Sequence, residues 1–191
     1  KIRLTGAQLS FSVGAIQENK SKILDTLEEA EKIQSDVVIF PELSITGYPP
    51  EDLLLRESFI GKNFAVLEEI AAYSGSSSAI IGFVDRSLNE DSTDNFDRKI
   101  SNAAAIVQNG DVKGIYHKCF LPNYSVFDEA RYFAKGNNPA DLFWYDDIAI
   151  GINICEDIWI DNGPADRQVA SGASIIININ ASPFDINKID S

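Results

Sequence analysis

Along this chain the apolar residues change period repeatedly, and each change marks an element. Ile2 to Leu9 reads as a strand bounded by polar residues. From Glu18 to Gln34 the spacing turns helical: Ile23, Leu27 and Ala30 share a face that Leu24 and Ile33 widen. Val37-Val-Ile-Phe40 is a short, wholly apolar run, as expected of a strand covered on both faces. Pro41 has no N–H to give a ladder and stops it. Thr46-Gly-Tyr-Pro-Pro50 is turn chemistry. A helical pattern then predicts a helix from Glu51 to Tyr73, with Ile60, Phe64, Leu67 and Ala71 on one face.

After the Gly75-Ser-Ser-Ser78 loop, Ala79–Val84 and Ala103–Val107 predict strands flanking a polar connection, Ser87 to Lys99. Asn109-Gly-Asp111 has the residues of a hairpin turn, and Val112–His117 returns as the next strand. Gly136 to Tyr145 is a short connection. Asp147–Ile154 is strand-like, Asp161–Ser171 a weak helix with a Pro near its start, and Ser174–Ile179 another apolar strand. Strands alternating with helices, plus hairpins, predict an α/β layered domain with mixed sheets.

The chain has 191 residues, enough to bury a core without disulfides or metals. Its 29 acidic residues against 16 basic ones, a formal charge of −13, repel phosphates and anionic lipid, so nucleic acid and membrane are poor partners. Cys119 and Cys155 have neither zinc-ligand spacing nor the density of a disulfide framework, which places the expected home in a reducing cytoplasm. No signal peptide and no apolar run of membrane-spanning length is seen. No Gly-x-Gly-x-x-Gly or Walker pattern offers a phosphate cradle, and one His with two separated Cys cannot supply a usual metal set.

Candidate chemistry falls at strand ends. Glu42 follows Val37–Phe40, Lys118 closes Val112–His117, and Cys155 closes Asp147–Ile154. That is the edge where α/β sheets build sites. A thiol with a carboxylate base, and an ammonium to hold the oxyanion, suffice for acyl transfer. The lysine would also favour the thiolate. Taken singly, each residue has a plainer explanation: Cys155 as a small core hydrophobe, Glu42 as a loop acid, Lys118 as an edge-strand charge. Cys119 and His117 should face away from Lys118, so Cys119 is expected to be structural and His117 packed or superficial.

Phe40-Pro-Glu-Leu43, Tyr116-His-Lys-Cys119 and Asn153-Ile-Cys-Glu-Asp-Ile-Trp159 resemble the three motifs of the nitrilase, or carbon–nitrogen hydrolase, superfamily, in the same order. Leu43–Leu54, Leu121–Phe133 and Asn180-Ala-Ser-Pro-Phe184 are further similar to the glutaminase domains of glutamine-dependent NAD synthetases. The resemblance implies a four-layer α-β-β-α sandwich. It implies a cysteine that attacks the glutamine side-chain amide, with Glu42 as base, Lys118 and a backbone N–H beside Cys155 on the oxyanion, and Glu129 as a supporting carboxylate. Tyr48, Tyr124, Phe127, Glu156, Ser182 and Lys188 fall at positions similar to glutamine contacts. Glu156 would pair the α-ammonium, and Ser182 and Lys188 would hold the α-carboxylate.

Residues 1–191 are accordingly expected to be one glutamine amidohydrolase domain that stops before its last strands, without its synthetase domain. No cofactor is expected in this domain; ATP, Mg2+ and deamido-NAD belong to the absent one. Homo-oligomers are expected from the resemblance. Two other readings use the same residues: an amidase on another small amide, and a non-catalytic assembly module.

Overall fold

A computed structural model describes residues 1–86, 100–124 and 127–182. Five strands form one sheet in sequence order: β1 (Leu4–Gly6), β2 (Val37–Ile39), β3 (Ser78–Arg86), β4 (Ile100–Gln108) and β5 (Asp111–His117). The first three are mutually parallel, and β4 runs antiparallel to both β3 and β5. A second sheet has β6 (Leu142–Tyr145) antiparallel to β7 (Ile148–Ile154), with β8 (Ile175–Ile179) parallel to β7. Helices α1 (Ile16–Lys32) and α2 (Glu57–Tyr73) lie on the first sheet, and α4 (Pro164–Ala170) crosses from β7 to β8; α3 is the single turn Glu129–Tyr132.

Alternation along the strands explains the layers. In β3 and β4, Ala79, Ile81, Phe83, Ala103, Ala105 and Val107 point into one core, shared with Ile23, Leu27, Val66 and Ile70 of the helices. Their neighbours Ile80, Ala104 and Ile106 point the other way, onto Ile150, Ile152, Ile154, Ile177 and Ile179 of the second sheet. Both faces are apolar, so these strands read as unbroken apolar runs. The order is helices, sheet, sheet, helix, as the resemblance implied.

The elements mostly fall where the pattern put them, with instructive exceptions. The first strand is three residues, not Ile2–Leu9, because β2, its only neighbour among the described residues, presents three residues to pair with. The helix foreseen over Glu51–Tyr73 is a 3-10 turn, Glu51–Leu55, and then α2: Arg56 is extended (φ −101°, ψ 110°). Strand β6 lies within what read as a bare connection. The hairpin turn holds, with Asn109 and Gly110 both left-handed (φ 51° and 84°). The polar connection Ser87 to Lys99 lies outside the described residues.

Candidate active site

Glu42, Lys118 and Glu129 meet in the interior. The Lys118 Nζ donates to Glu42 Oε1 at 2.7 Å and to both Glu129 oxygens at 2.8 Å. All three residues are at most 5% exposed. Burial by itself would push the ammonium down, but the two carboxylates more than offset this and hold Lys118 above its ordinary value. Glu129 is raised by burial and by Glu42, against the pull of Lys118.

Each side chain has a local reason for its position. Glu42 leaves β2 through a loop whose next residue, Leu43, is left-handed (φ 49°). That loop passes over β3 at Gly82, where a Cβ would run into the backbone of Pro41, Glu42 and Leu43. Asn102 of β4 donates to Glu42 Oε1 at 2.7 Å, and the Ala181 N–H donates to Oε2 at 3.2 Å. Lys118 follows β5, and its own N–H donates to the Asn102 carbonyl at 2.9 Å. Gly136 packs so closely on His117 that no Cβ would fit there either. The Tyr48 hydroxyl donates to Glu129 Oε1 at 3.0 Å.

Cys155 begins a 3-10 turn at the end of β7, in a left-handed conformation (φ 46°) that a non-glycine residue adopts at a cost. Its Sγ lies 3.4 Å from Ser182 Oγ. Consecutive residues Ala181 and Ser182 therefore touch the carboxylate of Glu42 and the thiol of Cys155. Burial first, then Glu42, raises the thiol; Lys118 pulls it down and loses. The lysine does favour the thiolate, as expected, but burial and the carboxylates outweigh it and the thiol stays above its ordinary value. Two carboxylates and one ammonium leave a net negative charge beside the sulfur, which disfavours a second anion.

The residues expected to contact substrate divide. The Tyr124 hydroxyl donates to Glu156 Oε2 at 2.8 Å, and Tyr124 and Phe127 stack edge-to-face at 5.7 Å. Tyr124 is 56% exposed and so is no core aromatic. Tyr48, Phe127 and Glu129 line a cleft of about 240 Å³ with Asp52, Arg131 and Tyr132. Lys188 lies outside the described residues. His117 pairs with Asp85 at 2.8 Å, and Cys119 packs between the sheets, its thiol pushed by burial up to about 11. Neither joins the cluster, as expected.

Sequence reasoning missed Asn102 and Asp157. Asn102 is a fully buried amide inside an apolar strand, a position where a polar residue needs a partner. Asp157 is fully buried and accepts from four donors: the N–H groups of Cys119 (3.1 Å), Phe120 (2.8 Å) and Ile154 (3.1 Å), and the Tyr116 hydroxyl (2.9 Å). Burial raises its carboxyl to about 6 although these donors pull it down.

Among the described residues no group of His, Cys, Asp and Glu could hold a metal ion, and no helix is long and apolar enough to cross a membrane.

A buried thiol, carboxylates and an ammonium at the strand ends of an α-β-β-α sandwich define a class, and the family model for carbon-nitrogen hydrolases matches residues 3–189. The chain belongs to the carbon–nitrogen hydrolase family. Among its relatives, the glutamine-dependent NAD(+) synthetase of Aquifex aeolicus is 40% identical over 187 residues, covering 98% of this chain and 31% of that protein. The one from Thermotoga maritima is 38% identical, with 98% and 31% covered. The chain thus spans about a third of the length of these relatives. Among solved structures, the glutamine-dependent NAD+ synthetase of Acinetobacter baumannii superposes with a TM-score of 0.85 at 35% identity, over 99% of this chain and 34% of that one. The narrower resemblance expected from the sequence therefore holds.

Proposed function

We propose that this chain hydrolyses the side-chain amide of glutamine through a thioester on Cys155. The observation that carries the reading is the buried Glu42–Lys118–Glu129 cluster at 2.7–2.8 Å, whose charges act on the Cys155 thiol. Glu42 takes the thiol proton as sulfur attacks the amide carbon. The carbonyl electrons move onto oxygen, which the Lys118 ammonium and a backbone N–H beside Cys155 hold. Collapse expels ammonia, its nitrogen receiving the proton from Glu42. Water, deprotonated by Glu42, then cleaves the thioester to glutamate and the free thiol. Glu129 keeps the ammonium placed and charged. The raised thiol fits this sequence: the proton leaves during attack rather than before it.

Glutamine rather than a plain amide is supported by the rim. Glu156, already accepting from Tyr124, faces an α-ammonium well, and Phe127 gives the methylenes an apolar wall. Ser182 and Lys188 would take the α-carboxylate. The relatives' names support ammonia being passed to a synthetase domain beyond this chain, which would use ATP, Mg2+ and deamido-NAD to form NAD. A cytoplasmic homo-oligomer is part of the same proposal.

The test is covalent labelling with an electrophilic glutamine analogue. We expect one adduct, at Cys155, and none in Cys155→Ala. Equal labelling of that variant overturns the assignment, and hydrolysis of simple amides as fast as glutamine overturns the choice of substrate.

A further inference from the structure

We propose that Asp157 is a positioning residue that fixes the distance between the nucleophile and the oxyanion-stabilising cation. The inference rests on the reading that Cys155 and Lys118 act on one carbonyl group. Its basis is where the four donors of Asp157 come from. Oδ1 accepts from the N–H groups of Cys119 and Phe120, the two residues immediately after Lys118. Oδ2 accepts from the N–H of Ile154, the residue immediately before Cys155, and from the hydroxyl of Tyr116, two residues before Lys118.

One rigid carboxylate therefore ties two segments that belong to different sheets. Strand β5 ends the first sheet and β7 runs in the second, and sheets stacked face to face through apolar side chains have no backbone ladder between them. Side-chain packing sets their separation, but it is not directional. At the active-site end, Asp157 supplies directional bonds where packing supplies none. The same carboxylate, accepting the Ile154 N–H three residues back, closes the 3-10 turn on which Cys155 adopts its left-handed conformation. Asp157 thus sets both the pitch of the nucleophile turn and its separation from the lysine. It does not reach the cluster itself: its oxygens are occupied by these four donors.

The chemistry of the donor set makes the carboxylate specific. Four donors need an acceptor with two oxygens and no hydrogen. In Asp157→Asn the amide hydrogens would face the Ile154 N–H or those of Cys119 and Phe120, leaving a buried donor opposed by another donor. The turn must then move, and a displacement on the order of 1 Å at a reacting group costs about 100-fold in rate.

The experiment compares wild type, Asp157→Asn and Tyr116→Phe by three readouts: thermal melting, glutamine turnover, and the pH profile of Cys155 alkylation by iodoacetamide, read on the Cys155 peptide so that Cys119 does not contribute. Asp157→Asn is expected to lose about 100-fold in kcat with KM within about threefold. Its alkylation profile should move to higher pH as the thiol loses the nearby ammonium. A purely structural role would lower the melting temperature and leave kcat per folded molecule and the alkylation profile unchanged, which overturns the proposal. Should Asp157→Asn fail to fold, Tyr116→Phe decides. It removes one donor of four and keeps the carboxylate, so a smaller loss of kcat and a shift in the same direction are expected, and identity with wild type overturns the proposal. If wild type does not consume glutamine, the reading of the substrate fails, while the alkylation profiles still decide the role of Asp157.

Discussion

Lys118 carries its charge on a fully buried side chain, and that state is held by the two carboxylates that share it. Removing one partner of a buried ion pair costs about 3–5 kcal/mol, far more than an exposed pair is worth. Lys118→Met fills similar volume but leaves Glu42 and Glu129 to repel each other; chemical denaturation should show a loss of that size. For Cys155 the sign follows from its raised value: the protonated thiol is favoured in the fold, that preference persists through neutral pH, and it is lost as pH climbs past the raised value. Alkylation of the resting enzyme should therefore rise only above the ordinary thiol value of 9.0, and a plateau below it would contradict the charge balance drawn here. The three strand-end residues were legible only as a set, from their complementary chemistry and shared position, since each alone had a plainer explanation. Glu129 and Tyr48 were legible only through resemblance, since nothing local distinguishes an acid on a single helical turn. Asp157 was hidden because its four donors come from segments that are neighbours only after two sheets stack.

At the scale of elements, period and turn chemistry located β2, β3, β4, β5, β7 and β8, since an apolar run between turn residues survives any tertiary context. Strand β6 did not declare itself: Leu142-Phe-Trp-Tyr145 is four residues long, and Trp144 is 60% exposed, so neither length nor alternation marks it. The break at Arg56 escaped for the opposite reason, because apolar spacing continues across it while the backbone turns. Close approaches between elements are equally invisible in a pattern. Gly82 of β3 lies directly beneath the Glu42 loop, so the added methyl of Gly82→Ala must push the base away. We expect a stability loss of about 1–3 kcal/mol by denaturation. Glutamine turnover should fall by about 100-fold. Unaltered turnover would show that the loop can move without consequence.

For the whole molecule, two cores back to back set the architecture, one between helices and first sheet and one between the sheets. The layered class was readable because strands with two apolar faces demand cover on both sides. The location of the site relative to those layers was not, since no sequence period encodes which strand ends converge. The outcome is a gradient from a buried interior, where Lys118 is 0% exposed, to an open rim, where Tyr124 is 56% exposed.

Dissolved ions can follow that gradient only part of the way. Mobile counterions screen exposed charges over about 8–10 Å at ordinary ionic strength and act far less on buried ones. The Lys118 cluster is closed to them, whereas the Tyr124–Glu156 pair stands where they arrive. Raising sodium chloride from about 0.05 to 0.5 M should therefore weaken capture of a charged amino-acid head and raise KM, while kcat stays level. A kcat that falls with added salt would mean that electrolyte enters the interior. Brine, in this protein, ought to slow the catching of substrate and leave its cleavage untouched.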